Sequence, residues 1–227
     1  IRATNRLPVF YNASVIQVPS MEDVRMLGIR YLIVHQGQSL PPGIGGEVVA
    51  SDGGYRLVEL EGWEPRVSVV PSWTVVGGAE ALERVLERGF DPALTAVVEG
   101  DPGIAPAPIA GPPGSATYHE ERPEDVRIRA ETAAPSLVLV RNAWDRGWSA
   151  TVDGEPARVL RADHFLQAVP VSAGAHQIRL VYREPAIARG IAGSAVVWLV
   201  PLVGIGVATE IRRRRAPTRR PAPPPDA

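Results

Sequence analysis

"RGIAGSAVVWLVPLVGIGVATEIRRRR", Arg189–Arg215, sets the reading of everything before it. The twenty residues Gly190–Thr209 carry no charge, and four consecutive arginines, Arg212, Arg213, Arg214 and Arg215, follow. A helix rises about 1.5 Å per residue, so twenty residues cover roughly 30 Å, the hydrocarbon thickness of a bilayer. A core helix of a water-soluble domain needs a polar face, and this run has none. Gly190, Gly193, Gly204, Gly206 and Pro201 weaken a helix in water but are tolerated in lipid. Trp198 lies in the middle of the run, away from either interface. The stretch predicts one transmembrane helix over residues 187–209. The arginines directly after it, joined by Arg219 and Arg220, are a topology signal that stays cytoplasmic. Residues 1–186 then lie outside the membrane, and 210–227 form a basic, Pro-rich cytoplasmic tail.

The charge distribution agrees with that division. Residues 1–189 hold 18 arginines against 23 acids, whereas 210–227 hold 6 against 2. The acidic outer part carries no nucleic-acid footprint. Cysteine is absent, which excludes disulfides, thiolate metal sites and cysteine nucleophiles. All 24 basic residues are arginine, a usage that fits a GC-rich coding bias. An outer domain needs something upstream to carry it across the membrane. "IRATNRLPVF" has neither an initiator Met nor the apolar core of a signal peptide. Either a signal has been removed or the chain is the C-terminal piece of a longer membrane protein, and the start at Ile1 favours the piece.

Upstream of the span the expected class is α+β. Residues 1–99 read as a small mixed α/β unit. "SMEDVRMLG" is a short helix capped by Ser20, with Asp23 in its first turn and Gly28 closing it. "IRYLIV", Ile29–Val34, reads as a buried strand, and "YRLVEL", "RVSVV" and "LTAVVEG" as further strands. "GAEALERVLERG" is a second helix with Ala79, Leu82, Val85 and Leu86 on one face, a Glu80–Arg84 pair and a stop at Gly89. Residues 100–118, with five prolines and four glycines, are the expected linker and domain boundary. Residues 119–184 read as an antiparallel β-sandwich: "DVRIRAET" alternates, "SLVLVRNAW" is a buried run, and "GWSATVDGEPARVL" is a hairpin turning at Asp153-Gly154. "FLQAVPV" and "HQIRLVY" complete it, and Pro185 ends the last strand.

Gly147, Trp148, Val152, Asp153, Gly154, Gly174, His176 and Tyr182 also carry a resemblance. A Gly-Trp before a Val-Asp-Gly turn, then a Gly-x-His strand ending in Tyr and followed by a span, resembles the C-terminal end of the bacterial YfhO-type membrane proteins. "MLGIRYLIV" is similar to the helix–strand element heading their soluble region. The resemblance runs strongly over 142–210 and more loosely over 20–99. It implies a large polytopic parent grouped with the GT-C glycosyltransferases, which take sugars from lipid-phosphate donors. The acidic residue that serves catalysis there lies in an early outer loop, a region absent from this sequence, so no catalytic residue carries over.

No cofactor or metal site is expected, because the four histidines show no ligand spacing. "HEERPED" reads as a solvated loop, and Ser, His and Asp occur without a nucleophile elbow. Trp144 and Trp148 are the candidate ligand or packing contacts, with core packing the plainer role; His176 is expected to hold structure by hydrogen bonding. The expected partners are the lipid bilayer, upstream spans of the same parent, and a lipid-linked sugar or envelope glycan. Two functions follow: a non-catalytic outer domain and last span of a YfhO-like protein of lipid-linked sugar transfer, or a single-span envelope protein whose sandwich binds glycan or protein.

Overall fold

The computed structural model describes residues 20–87 and 89–215. The chain divides into two compact units, Ile1–Arg183 and Glu184–Ala227. Among its described residues the first unit is mostly β with two short helices. It opens with α1 (Met21–Leu27), β1 (Tyr31–His35), β2 (Gly46–Asp52) and β3 (Tyr55–Leu60). There follow β4 (Val67–Val70), β5 (Ser72–Val75), α2 (Gly78–Val85) and β6 (Thr95–Glu99). The remaining strands are β7 (Gly114–Arg122), β8 (Asp125–Thr132), β9 (Ser136–Val140) and β10 (Trp148–Val152). Last come β11 (Glu155–Ala157), β12 (Leu160–Ala162), β13 (Leu166–Val171) and β14 (Gly174–Tyr182). The second unit contains α3 (Pro185–Arg215), 31 residues long.

Three sheets result, in the orders β1-β3-β2, β11-β10-β14-β8-β7 and β4-β9-β13-β12-β6-β5. All pairs are antiparallel except β5 with β6, which are parallel and joined through α2. The five- and six-stranded sheets share one apolar layer: Val126, Ile128, Ile178 and Leu180 from one meet Val138, Val140, Val169 and Val171 from the other. β8 shows why: its even-numbered residues are buried while Arg127, Arg129 and Glu131 face solvent. β9 is buried at every position, because a second cluster with Val98, Leu137, Leu139 and Leu160 covers its other face.

Several expectations change on this architecture. The six-stranded sheet takes β4, β5 and β6 from before residues 100–118 and β9, β12 and β13 from after them. The Pro/Gly-rich stretch therefore connects strands of one unit, and its last residues already belong to β7. β1 is half-covered, not buried: Tyr31, Ile33 and His35 point outward, because only one face of the three-stranded sheet packs, on α1 through Val24, Ile44, Val58 and Leu60. α2 ends before Gly89, and it buries Ala81 and Val85 while Leu86 is exposed. The capping of α1 is as expected: Ser20 Oγ accepts from Asp23 N at 3.1 Å, and Gly28 takes φ 63°.

The span expected over 187–209 is not found: among the described residues no helix is long and apolar enough to cross a membrane. The side chains of Ile191, Ala192, Ala195, Val196, Val200 and Leu202, six apolar positions of the run, lie outside the described residues, as do those of Arg212–Arg215 and all of the tail from 216. Every residue of α3 whose side chain is described is exposed.

Candidate functional site

A cleft of about 660 Å³ opens at the end of β14. Its aromatic wall is a cross-strand pair. Trp148 opens β10 opposite Tyr182, the last residue of β14, and their rings lie 5.3 Å apart, tilted by 55°. The turn before Trp148 explains the Gly-Trp pair. Asp145 Oδ1 accepts from Gly147 N at 2.7 Å, and a Cβ on Gly147 would come within 2.7 Å of both Tyr182 Cε2 and Arg183 O. Only glycine lets the turn lie that close to β14.

The opposite side is polar. Arg66 Nε donates to Asn142 Oδ1 at 2.9 Å, and the guanidinium sits 5.1 Å from the centre of the Tyr118 ring. Asn142 Nδ2 in turn donates to Tyr118 OH at 3.3 Å. Glu120, Glu124 and Asp145 add carboxylates to the lining. Behind it Arg141, with only 1% of its side chain exposed, donates to Pro65 O at 2.7 Å, Ser68 Oγ at 3.0 Å and Arg25 O at 3.3 Å. This buried fork ties the end of α1 and the loop before β4 to β9. Its Nη2 has no hydrogen-bond partner and lies 3.9 Å from Glu64 Oε2, too far for one. The cleft thus offers an aromatic face with donors and acceptors around it. Among the described residues no group of three metal-ligating side chains occurs.

The sequence-derived candidates fall apart in space. Trp148 lines the cleft; Trp144 is not among its lining residues. The Trp144 indole N–H donates to Val159 O at 3.4 Å, and Arg161 stands 5.7 Å from its ring. His176 Nδ1 lies 2.7 Å from Asp153 Oδ2, and its Nε2 lies 3.2 Å from Ser172 Oγ and 3.1 Å from Ser172 O. An Asp–His–Ser chain in this order has the form of an acyl-transfer relay. However, none of the three residues lines the cleft, and the Ser172 carbonyl is already engaged by the Thr132 hydroxyl, which donates to it at 2.7 Å. The chain instead pins the Asp153-Gly154 turn, with φ 54° and 90°, to the turn before β14. A backbone bond from Gln177 N, and then His176, holds the Asp153 carboxyl below the usual range. The arginines Arg212–Arg215 close α3.

Arg66 and Asn142, and the buried Asp163, carried no sequence signal. Asp163 and His164 take φ 46° and 70° in the β12–β13 turn. Asp163 Oδ1 accepts from Val97 N at 2.8 Å, and Oδ2 is buried without a partner. Burial pushes the carboxyl up to about 7, against the Val97 hydrogen bond and the charge of Arg141.

Residues 125–194 match the family model described as "Bacterial membrane protein YfhO". The match starts at β8, earlier than the resemblance over 142–210, and does not reach 20–99. No curated protein and no solved structure matches the chain. The stretch from β8 into α3, which includes Trp148, His176 and Tyr182, is therefore a YfhO-family region, of a family of bacterial membrane proteins.

Proposed function

We propose that this chain is the outer domain and last membrane span of a YfhO-like, GT-C-type protein of lipid-linked sugar transfer at the cell envelope, without chemistry of its own. The observation that carries the reading is the YfhO-family stretch running from β8 into a helix whose described side chains are all exposed, Trp198 to 71%. In the full sequence that helix holds twenty residues without a charge and ends on four arginines, the pattern of a span with a cytoplasmic C-terminus. The described residues alone do not make up such a span; the continuous run in the sequence supports it. Unit one then stands outside, and the Trp148–Tyr182 cleft is placed to hold part of a sugar acceptor: a ring stacks on the aromatic wall while Arg66, Asn142 and the carboxylates bond its hydroxyls.

Incubation of the purified chain with a polyprenyl-phosphate sugar and an acceptor tests the non-catalytic part. No transfer is expected, and transfer by this chain overturns it. The second reading, a single-span envelope protein that binds glycan, is favoured by Trp148, which is half-buried on a cleft wall and not lost in the core. Hydropathy of the complete coding sequence separates the two, since about ten further spans support the first and a lone signal peptide the second.

A further inference from the structure

No described residue covers the outer face of the three-stranded sheet, which sets aromatic and aliphatic side chains beside Glu47, Glu59 and His35. Tyr31 and Ile33 of β1 stand on it with Tyr55 and Leu57 of β3, and Ile33 is 75% exposed. Beside Tyr31 the Arg30 guanidinium lies between two rings, 5.0 Å from the centre of Tyr31 and 4.6 Å from that of Trp63, while it pairs with Glu59 at 2.8 Å. Arginine, tyrosine and tryptophan set around exposed aliphatic groups suit the headgroup layer. There the rings keep one apolar and one wet end, and the guanidinium reaches phosphate.

The position of this group within unit one points the same way. Trp63 precedes Arg66 by three residues, and Arg66 lines the same cleft as Tyr182. Tyr182 is three residues before Pro185, the first residue of α3, a path of at most about 10 Å for an extended chain. Within unit one the cluster adjoins that cleft: a Cβ on Gly28, two residues before Arg30, would lie 2.7 Å from Cδ of Arg141, which lines it.

We propose that the Arg30–Tyr31–Trp63 cluster and the adjoining Ile33 face rest in the phospholipid headgroup layer, which makes this end of the domain a lipid-contacting surface. The proposal rests on α3 being a span, and the test separates the two. The full wild-type chain is labelled with 5-fluorotryptophan and reconstituted in phosphatidylcholine–phosphatidylglycerol nanodiscs with or without nitroxide-bearing lipids. Its five tryptophan resonances are assigned by single Trp→Phe changes. Headgroup nitroxides should broaden Trp63 at least about twofold more than Trp73 of β5, and acyl-chain nitroxides should broaden Trp198. Ile33→Glu, which changes an outward side chain and no core contact, should bring Trp63 down to the Trp73 level. If Trp198 broadens and Trp63 behaves like Trp73, the interface is overturned while the span stands. That result with two chains per disc assigns the face to a second copy instead. If Trp198 is untouched, the span reading fails and the interface with it.

Discussion

Strand β8 and helix α3 lie near the two ends of the YfhO-family stretch and treat apolar side chains in opposite ways. In β8 every second residue is buried and the ones between are charged or exposed, the pattern of one face on a core and one in water. In α3 three successive residues, Val197, Trp198 and Leu199, are all strongly exposed although they point about 100° apart around the axis. These three described positions are turned to no one side of the helix. A strand that sorts its residues suits water on one side, whereas apolar side chains left open at successive described positions suit a solvent that is itself apolar.

Substitutions can break that comparison at either end. Ile128→Ala empties the layer between the two sheets and should cost about 4 kcal/mol, read from urea midpoints of the detergent-solubilised chain. Leu199→Arg should cost roughly 3 kcal/mol of membrane insertion, read as the inserted fraction in a translocation assay. A helix that lived in water would accept that arginine without loss.

A smaller effect tests the buried turn beside the core. The folded-state value of Asp163, about 7, lies above its ordinary 3.8, so the folded chain keeps a proton that the unfolded chain has released between those pH values. Its contribution therefore favours folding at low pH and is lost as pH rises toward 7, by up to about 1.4 kcal/mol per pH unit. Asp163→Asn keeps an oxygen for Val97 N and tolerates the left-handed backbone, so it should gain roughly 2 kcal/mol on the native chain between pH 5 and pH 8. Equal pH profiles for the two would contradict this. The smallest effect belongs to the wet face of β8: Arg127→Ala removes an exposed pair with Glu121 at 3.0 Å and should change stability by less than about 1 kcal/mol.

Much of the fold was legible where a local rule decided it. Ser20 and Gly28 fixed α1, Asp153-Gly154 fixed the hairpin, and the alternation of β8 gave its inner face. Long-range pairing was not legible. Nothing in "RVSVV" says that β4 will lie beside β9 some seventy residues later, so a Pro/Gly-rich connection read as a domain boundary. "YLIV" looks buried because periodicity reports apolar content and not whether a second layer exists to cover it. The cleft was half legible. Trp148 and Tyr182 stood out through the resemblance, but Arg66 meets Asn142 across 76 residues, a contact no spacing rule carries. Arg141 and Asp163 are ordinary polar residues in sequence, set apart only by the burial that tertiary packing imposes.

The central claim is that α3 crosses the membrane with unit one outside. The chain has no cysteine, so a single introduced thiol reports cleanly. With the protein expressed from its complete coding sequence, Ala173→Cys, at an exposed position in the turn before β14, should react with an impermeant maleimide on intact cells. Ala222→Cys, in the tail, should react only after lysis. Labelling of both on intact cells, or of neither, would contradict the account.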